Sequence, residues 1–147
     1  MLKIIIRTLG KPIAKKRPRF VHRNGFSKAY NCQETEEGRW LLEVLQQIPK
    51  ERPVFEKGAA LHMTCICHFE RPKSHFGTGR NASILKQSAP EYHVQSPDTT
   101  NICKFYEDIL NGILWADDCQ IVHTEISKGW SSVPMVEIIV TEIEKRS

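Results

Sequence analysis

This sequence predicts a two-layer α+β domain, a four-stranded mixed sheet with two helices packed on one face, in the order β-α-β-α-β-β. Three observations carry that expectation. Residues 59–69 alternate apolar and polar side chains with the period of two that a half-buried strand requires. Residues 33–48 and 100–113 instead repeat their apolar side chains at helical spacing. Three further runs, 2–9, 120–126 and 133–143, are apolar, rich in β-branched residues and bounded by turn formers. A chain of 147 residues is long enough for one core and not for two, so 1–147 reads as a single domain.

In chain order, the first strand (2–9) stops at Gly10. Residues 11–30 follow as a basic arm with Lys11, Lys15, Lys16, Arg17, Arg19, Arg23 and Lys28. Pro12 and Pro18 keep it from being helical, so it reads as an irregular loop. Phe20, Phe26 and Tyr30 interleave with these charges. Such rings stack on unpaired bases or tuck beneath the loop, and the second role is favoured for Phe20.

The helix at 33–48 has Glu34, Glu36 and Glu37 in its first turn, where the helix dipole favours them. Trp40, Leu41, Val44, Leu45 and Ile48 form its apolar stripe, and Pro49 ends it. In the strand at 59–69, Leu61, Met63, Cys65, Cys67 and Phe69 face one way, and His62, Thr64, Ile66 and His68 the other. His62 and His68 read as exposed strand positions rather than ligands. Residues 71–97 form a long, flexible basic loop with Arg71, Lys73, Arg80 and Lys86, and Glu91 as its one acid. A loop of that length is a flap that closes over a polyanion, or an insertion without a role. A turn near 128–132 joins the last two strands.

Composition is that of a globular protein, 40% hydrophobic and 26% charged, with a net charge of +4. The charge is lopsided. Residues 1–33 hold nine Lys or Arg and no acid, and the remainder is acidic on balance. A basic arm on an acidic body is a footprint for a polyanion such as nucleic acid, whose phosphates Lys15, Lys16, Arg17, Arg19, Arg23, Arg71, Lys73 and Arg80 would contact. Five cysteines without a Cys-x-x-Cys pair argue against a secreted disulfide framework. Cys65, Cys67 and His68 lack a second ligand pair, so the two cysteines read as buried strand residues rather than a zinc site. No apolar run reaches membrane-spanning length, and the chain reads as a cytoplasmic protein.

The second helix carries the chemistry. Ile102, Phe105, Tyr106, Ile109, Leu110 and Ile113 share one side, while Asn101, Lys104 and Asp108 share a polar sector. Asp98, Thr99 or Thr100 can cap its start, and Gly112 marks its end. Asp98 precedes this helix and Asp117 and Asp118 follow it. Carboxylates brought together repel unless a cation sits between them. Oxygen-only ligands suit Mg²⁺ or Mn²⁺, with Lys104 offsetting charge on a phosphate or orienting the nucleophile, and Asn101 either holding a ligand carboxylate or helping to cap the helix.

The spacing Asp98, Asn101, Lys104, Asp108, Trp115, Asp117, Asp118, Gln120, Ile121 resembles the signature of the RusA-type Holliday junction resolvases. The opening from Gly10 through Pro12 to Arg17, Pro18 and Arg19, and the run Arg71, Pro72, Lys73, Ser74, His75, look like that family too. The resemblance implies a Mg²⁺-dependent endonuclease, bacterial or phage-encoded. It would cut four-way DNA junctions as a homodimer that makes paired nicks. It implies Asp98, Asp117 and Asp118 as metal ligands, Lys104 as a catalytic residue, and Asn101 and Asp108 as supports. One departure stands out: the family's second Asp is Thr100 here, a neutral ligand at best. The alternatives are a junction-binding protein with weak or no cleavage, and a structure-tolerant nuclease acting on flaps or single strands.

Overall fold

The computed structural model describes residues 1–146. In chain order the elements are β1 (Lys3–Leu9), β2 (Arg19–Arg23), β3 (Phe26–Tyr30), α1 (Glu34–Leu45), β4 (Leu61–Glu70), α2 (Thr99–Leu110), β5 (Ile121–Ser131) and β6 (Met135–Glu142). The main sheet runs β1-β6-β4-β5. Its β1–β6 and β6–β4 pairs are antiparallel and its β4–β5 pair is parallel. A parallel pair needs a long crossover, and the segment containing α2 supplies it.

β4 has a neighbour on both sides, so its alternation is the sharpest. Leu61, Met63, Cys65, Cys67 and Phe69 are at most 4% exposed, and the residues between them are only half-buried. Ile4 and Ile6 of β1 and Val136, Ile138 and Val140 of β6 join the same cluster, together with Trp40 and Val44 of α1 and Ile102, Phe105, Tyr106 and Leu110 of α2. Both cysteines of β4 are core residues, as their alternation implied. The helices are also tied to each other and to the sheet. The Trp40 and Tyr106 rings lie 4.7 Å apart, and Trp40 Nε1 donates to Thr8 Oγ1 at 2.9 Å.

The element order differs from the expected one by an added hairpin. The basic arm is not wholly irregular: β2 and β3 pair as a separate two-stranded sheet with every residue exposed. Asn24 (φ 50°) and Gly25 (φ 80°) make its turn. Two consecutive positive φ angles match the twist of a tight hairpin, and Asn-Gly is the pair that tolerates them. Phe20 does not tuck under the loop; it is 65% exposed.

The 71–97 loop carries local structure as well. It contains 3₁₀ turns at Lys73–His75 and Gly79–Asn81 and a bridge between Phe76 and Leu85. Gly77 is demanded there, since a Cβ would come within 2.6 Å of Asn81 Cβ. The expected turn at 128–132 belongs largely to β5, whose pairing with β4 continues to Glu70 opposite Ser131.

Candidate active site and nucleic-acid surface

Asp98 is the N-cap of α2. Its Oδ1 accepts from the Asn101 backbone N–H at 2.8 Å and from Thr100 Oγ1 at 3.2 Å. Asn101 Nδ2 donates to its Oδ2 at 3.3 Å. Asp98, Thr100 and Asn101 therefore form one bonded group at the helix N-terminus, where the open N–H groups and the dipole favour a negative charge. Asn101 thus contacts both oxygens of the Asp98 carboxylate. Thr100 also serves that carboxylate by donating to it.

The acidic doublet is held by the turn that follows α2. Gly112, at φ 82°, lets the chain reverse, and its N–H donates to the Trp115 carbonyl at 2.7 Å. Trp115 is fully buried, and its Nε1 donates to Asp118 Oδ1 at 2.7 Å. Asp117 caps a 3₁₀ turn at Asp118–Gln120, accepting from Cys119 N–H at 3.0 Å. That bond holds the exposed Asp117 carboxyl below the usual carboxylate range. Gln120, 8% exposed, fastens the turn from inside. Its Oε1 accepts from the Ala116 and Asp117 N–H groups, and its Nε2 donates to the Glu56 and Ala59 carbonyls.

Among the described residues, Asp98, Asp117 and Asp118 do not gather as a trio within 4.8 Å of one another. Asp98 sits before α2 and the doublet follows it, so a 12-residue helix of about 18 Å lies between them in the chain. A residue missed in the sequence stands closer to the doublet electrostatically: Glu107. Burial pushes its pKa up, the charges of Asp118 and then Asp108 push it further, and Lys104 pulls it down. Glu107, Asp118 and Lys104 thus share one field, with acidic charge in excess. The signal in the sequence was position, because Glu107 lies one helical turn beyond Lys104. Asp108 also faces a cation: its Oδ2 lies 3.4 Å from Lys15 Nζ, which is the same distance from Glu37 Oε1.

These ion pairs divide the basic residues. Lys15 is neutralised by Glu37 and Asp108, and Lys16 lies 4.0 Å from Glu36. Arg17, Arg19, Arg23, Lys73 and Arg80 have no acidic partner within 4.0 Å among the described residues. In the hairpin register, Arg19 faces Tyr30, Val21 faces Lys28, and Arg23 faces Phe26. Alternation puts these six side chains on one face, where cations and exposed rings intermix. The root of the arm is anchored: buried Gln33 accepts from Lys16 N–H at 2.8 Å and donates to the Ala14 carbonyl at 2.9 Å. Lys15 N–H donates to the Asn101 carbonyl at 2.9 Å, which attaches the arm to the first turn of α2. Arg71 stacks 5.3 Å over Trp130, and Lys128 Nζ donates to the Pro97 carbonyl at 2.8 Å. Lys11, Lys16 and Glu36 line one groove with Pro97, the residue before Asp98.

No helix among the described residues is long and apolar enough to cross a membrane. The protein YqaN of Bacillus subtilis (strain 168), described as uncharacterized, is 26% identical over 138 residues, covering 91% of this chain and 92% of its own length. The sequence model of the family described as Endodeoxyribonuclease RusA matches residues 10–141, a span that includes the arm, α2, the doublet turn, β5 and all of β6 but Glu142. The chain belongs to the RusA endodeoxyribonuclease family.

Proposed function

We propose that this protein is a Mg²⁺-dependent endonuclease that resolves four-way DNA junctions as a homodimer, by paired phosphodiester hydrolysis. The observation that carries this reading is the acidic doublet turn within the matched span of the endodeoxyribonuclease family, with Asp118 fixed by Trp115 Nε1 at 2.7 Å; beside it the charges of Asp118 and Asp108 add to the rise that burial imposes on the Glu107 pKa. A divalent cation relieves such repulsion, and the donor set is all oxygen, which suits a hard ion. Mg²⁺ commonly uses one or two carboxylates and takes its remaining ligands from water and phosphate, so it does not need a trio. The carboxylates that would hold it are Asp118 and Asp117, which share one turn; Asp98 and the neutral Thr100 hydroxyl, at the far end of α2, would join them only through a movement that brings the two groups together. Mn²⁺ fits the same donors. When bound, the ion supplies a polarised phosphate and a water of lowered pKa.

The protein's own groups do the rest. Asp118 keeps one oxygen for Trp115, and among the described residues its other oxygen has no protein donor. The exposed Lys104 ammonium stabilises charge that builds on the phosphate. Arg17, Arg19, Arg23, Arg71, Lys73 and Arg80 contact phosphates and supply affinity without sequence information. Phe26 and Tyr30 present rings on which the unpaired bases of a branch point can stack. A two-fold dimer matches the near two-fold symmetry of a junction. The work of such an enzyme is DNA recombination and repair in the cytoplasm of a bacterium or in phage infection.

A second reading is a junction-binding protein with weak or no cleavage. Thr100 favours it, since it brings no charge to a position where the family carries an Asp. One experiment separates the two. A labelled four-way junction is incubated with Mg²⁺ and, in parallel, with Ca²⁺. Symmetric nicks with Mg²⁺ alone establish the enzyme, and a retarded but intact junction in both establishes the binding protein. Nicks confined to flaps or single strands would refute both.

A further inference from the structure

A second group of ligand-bearing side chains lies outside the nuclease site, on strands β4 and β5. His62 Nε2 is 3.6 Å from Glu125 Oε1, and His123 Nε2 is 3.4 Å from the same oxygen. All three ligand atoms lie within 4.8 Å of one another. These separations are too long for hydrogen bonds, which close to about 2.7–3.2 Å. The His123–Glu125 separation matches the edge of a tetrahedron around an ion with ligands at about 2.0–2.1 Å, roughly 3.3–3.4 Å, and the His62–Glu125 separation is slightly longer. His62 Nε2 is also shut off from solvent and has no hydrogen-bond partner. A buried ring nitrogen left this way costs free energy that a bound cation would recover.

The backbone is arranged to bring the three together. Leu61 pairs with Ile121, yet the next pair is His62 with His123, so Val122 is the extra residue of a bulge. Without that bulge His62 would face Val122, and His123 would point to the other side of the sheet. Beyond the bulge, Thr64 pairs with Glu125, which places Glu125 on the same face as His123. The two imidazoles meet edge to face, with centroids 4.5 Å apart.

We propose that His62, His123 and Glu125 bind one transition-metal dication of the Zn²⁺ class, with water as the fourth ligand. Two imidazoles and a carboxylate select a borderline ion and not the hard Mg²⁺ of the nuclease site. The ion clips β5 to β4 just past the turn that carries Asp118. It thereby stiffens the strand from which the doublet is displayed. This inference does not depend on the nuclease reading.

The test uses tag-free full-length protein stripped with a chelator and titrated with Co²⁺, read by its visible absorption, and with Zn²⁺ by calorimetry. One equivalent per chain with an intense tetrahedral Co²⁺ spectrum is expected. His123→Gln and, separately, Glu125→Gln should each weaken binding by more than about tenfold. Both side chains are more than half exposed, at 58% and 61%, so the variants keep the fold. Asp118→Asn should leave the stoichiometry and the spectrum unchanged. Absence of binding, binding that survives both substitutions, or binding lost in Asp118→Asn alone would overturn the proposal.

Discussion

Replacing Asp118 in two ways separates its structural bond from its charge. Asp118 Oδ1 accepts from the indole N–H of Trp115, a fully buried ring whose one polar atom has that partner. In Asp118→Asn the amide oxygen can still accept, so the bond persists but loses its charge assistance, a loss of about 1 kcal/mol. Relief of the repulsion on Glu107 offsets part of it. In Asp118→Ala the indole N–H is orphaned inside the core. That adds roughly 1–3 kcal/mol for the unsatisfied donor. For a domain of 147 residues each kcal/mol is worth about 3 °C in Tm, so Asn should melt no more than about 3 °C low and Ala about 6–12 °C low. A protein with several kcal/mol of stability stays almost wholly folded after a loss of about 1 kcal/mol. Any fall in nicking by Asp118→Asn therefore reports chemistry. The assay pairs metal-free thermal melts with nicking of a labelled junction in Mg²⁺, and with gel shifts in Ca²⁺. Nicking should fall by at least about a hundredfold in Asp118→Asn with junction binding retained. Wild-type nicking in Asp118→Asn, or equal melting of the Asn and Ala variants, would refute the reasoning.

Three further outcomes follow from the geometry. Thr100→Asp restores an acid beside Asp98 and should lower the Mg²⁺ concentration for half-maximal nicking several-fold; an unchanged metal titration with a fully active wild type would remove Thr100 from the ligand set. Replacing Arg17 and Arg19 together with Ala should weaken binding to every DNA form and flatten the slope of log K against log salt by about 1.8, and an unchanged slope would remove the arm from the interface. His68 Nε2, bonded to Glu137 at 2.8 Å, and then Arg7 hold the Glu137 carboxyl below its ordinary 4.5. A carboxyl depressed by folding stabilises above its unfolded pKa and loses that contribution as pH falls through the folded value. Wild type should therefore exceed Glu137→Gln in urea midpoint near neutrality, and the gap should narrow as pH falls below the ordinary 4.5 and through the depressed folded value; parallel curves throughout would contradict the assignment.

The sequence made the periodic elements legible and left the pairings obscure, for a physical reason in each case. β4 could be read from its alternation because burial on one face imposes a period of two. The hairpin is masked because Pro12, Pro18 and the dense charge argue against regular structure, although Asn24-Gly25 is itself a hairpin signal. Pro18 lies just before β2, where it breaks no ladder bond of the hairpin. The pairing of His62 with His123 was not legible at all. It needs strands 60 residues apart in the chain to be neighbours, and then a bulge to shift the register by one.

The motif around the doublet divides by task in a way that residue spacing alone conceals. Asp117 and Asp118 are the charged members, but Trp115 and Gln120 make the turn that carries them. Trp115 fills the core and lends its N–H to one acid. Gln120 satisfies two backbone donors and two backbone acceptors that would otherwise be left open beneath the turn. A Glu in its place would keep the acceptor bonds and lose both donor bonds, setting a charge against the Glu56 and Ala59 carbonyls. An acidic doublet in a loop is ordinarily a solvated feature. Here the buried amide and indole fix its position, and that fixed position is what lets Asp118 act on Glu107.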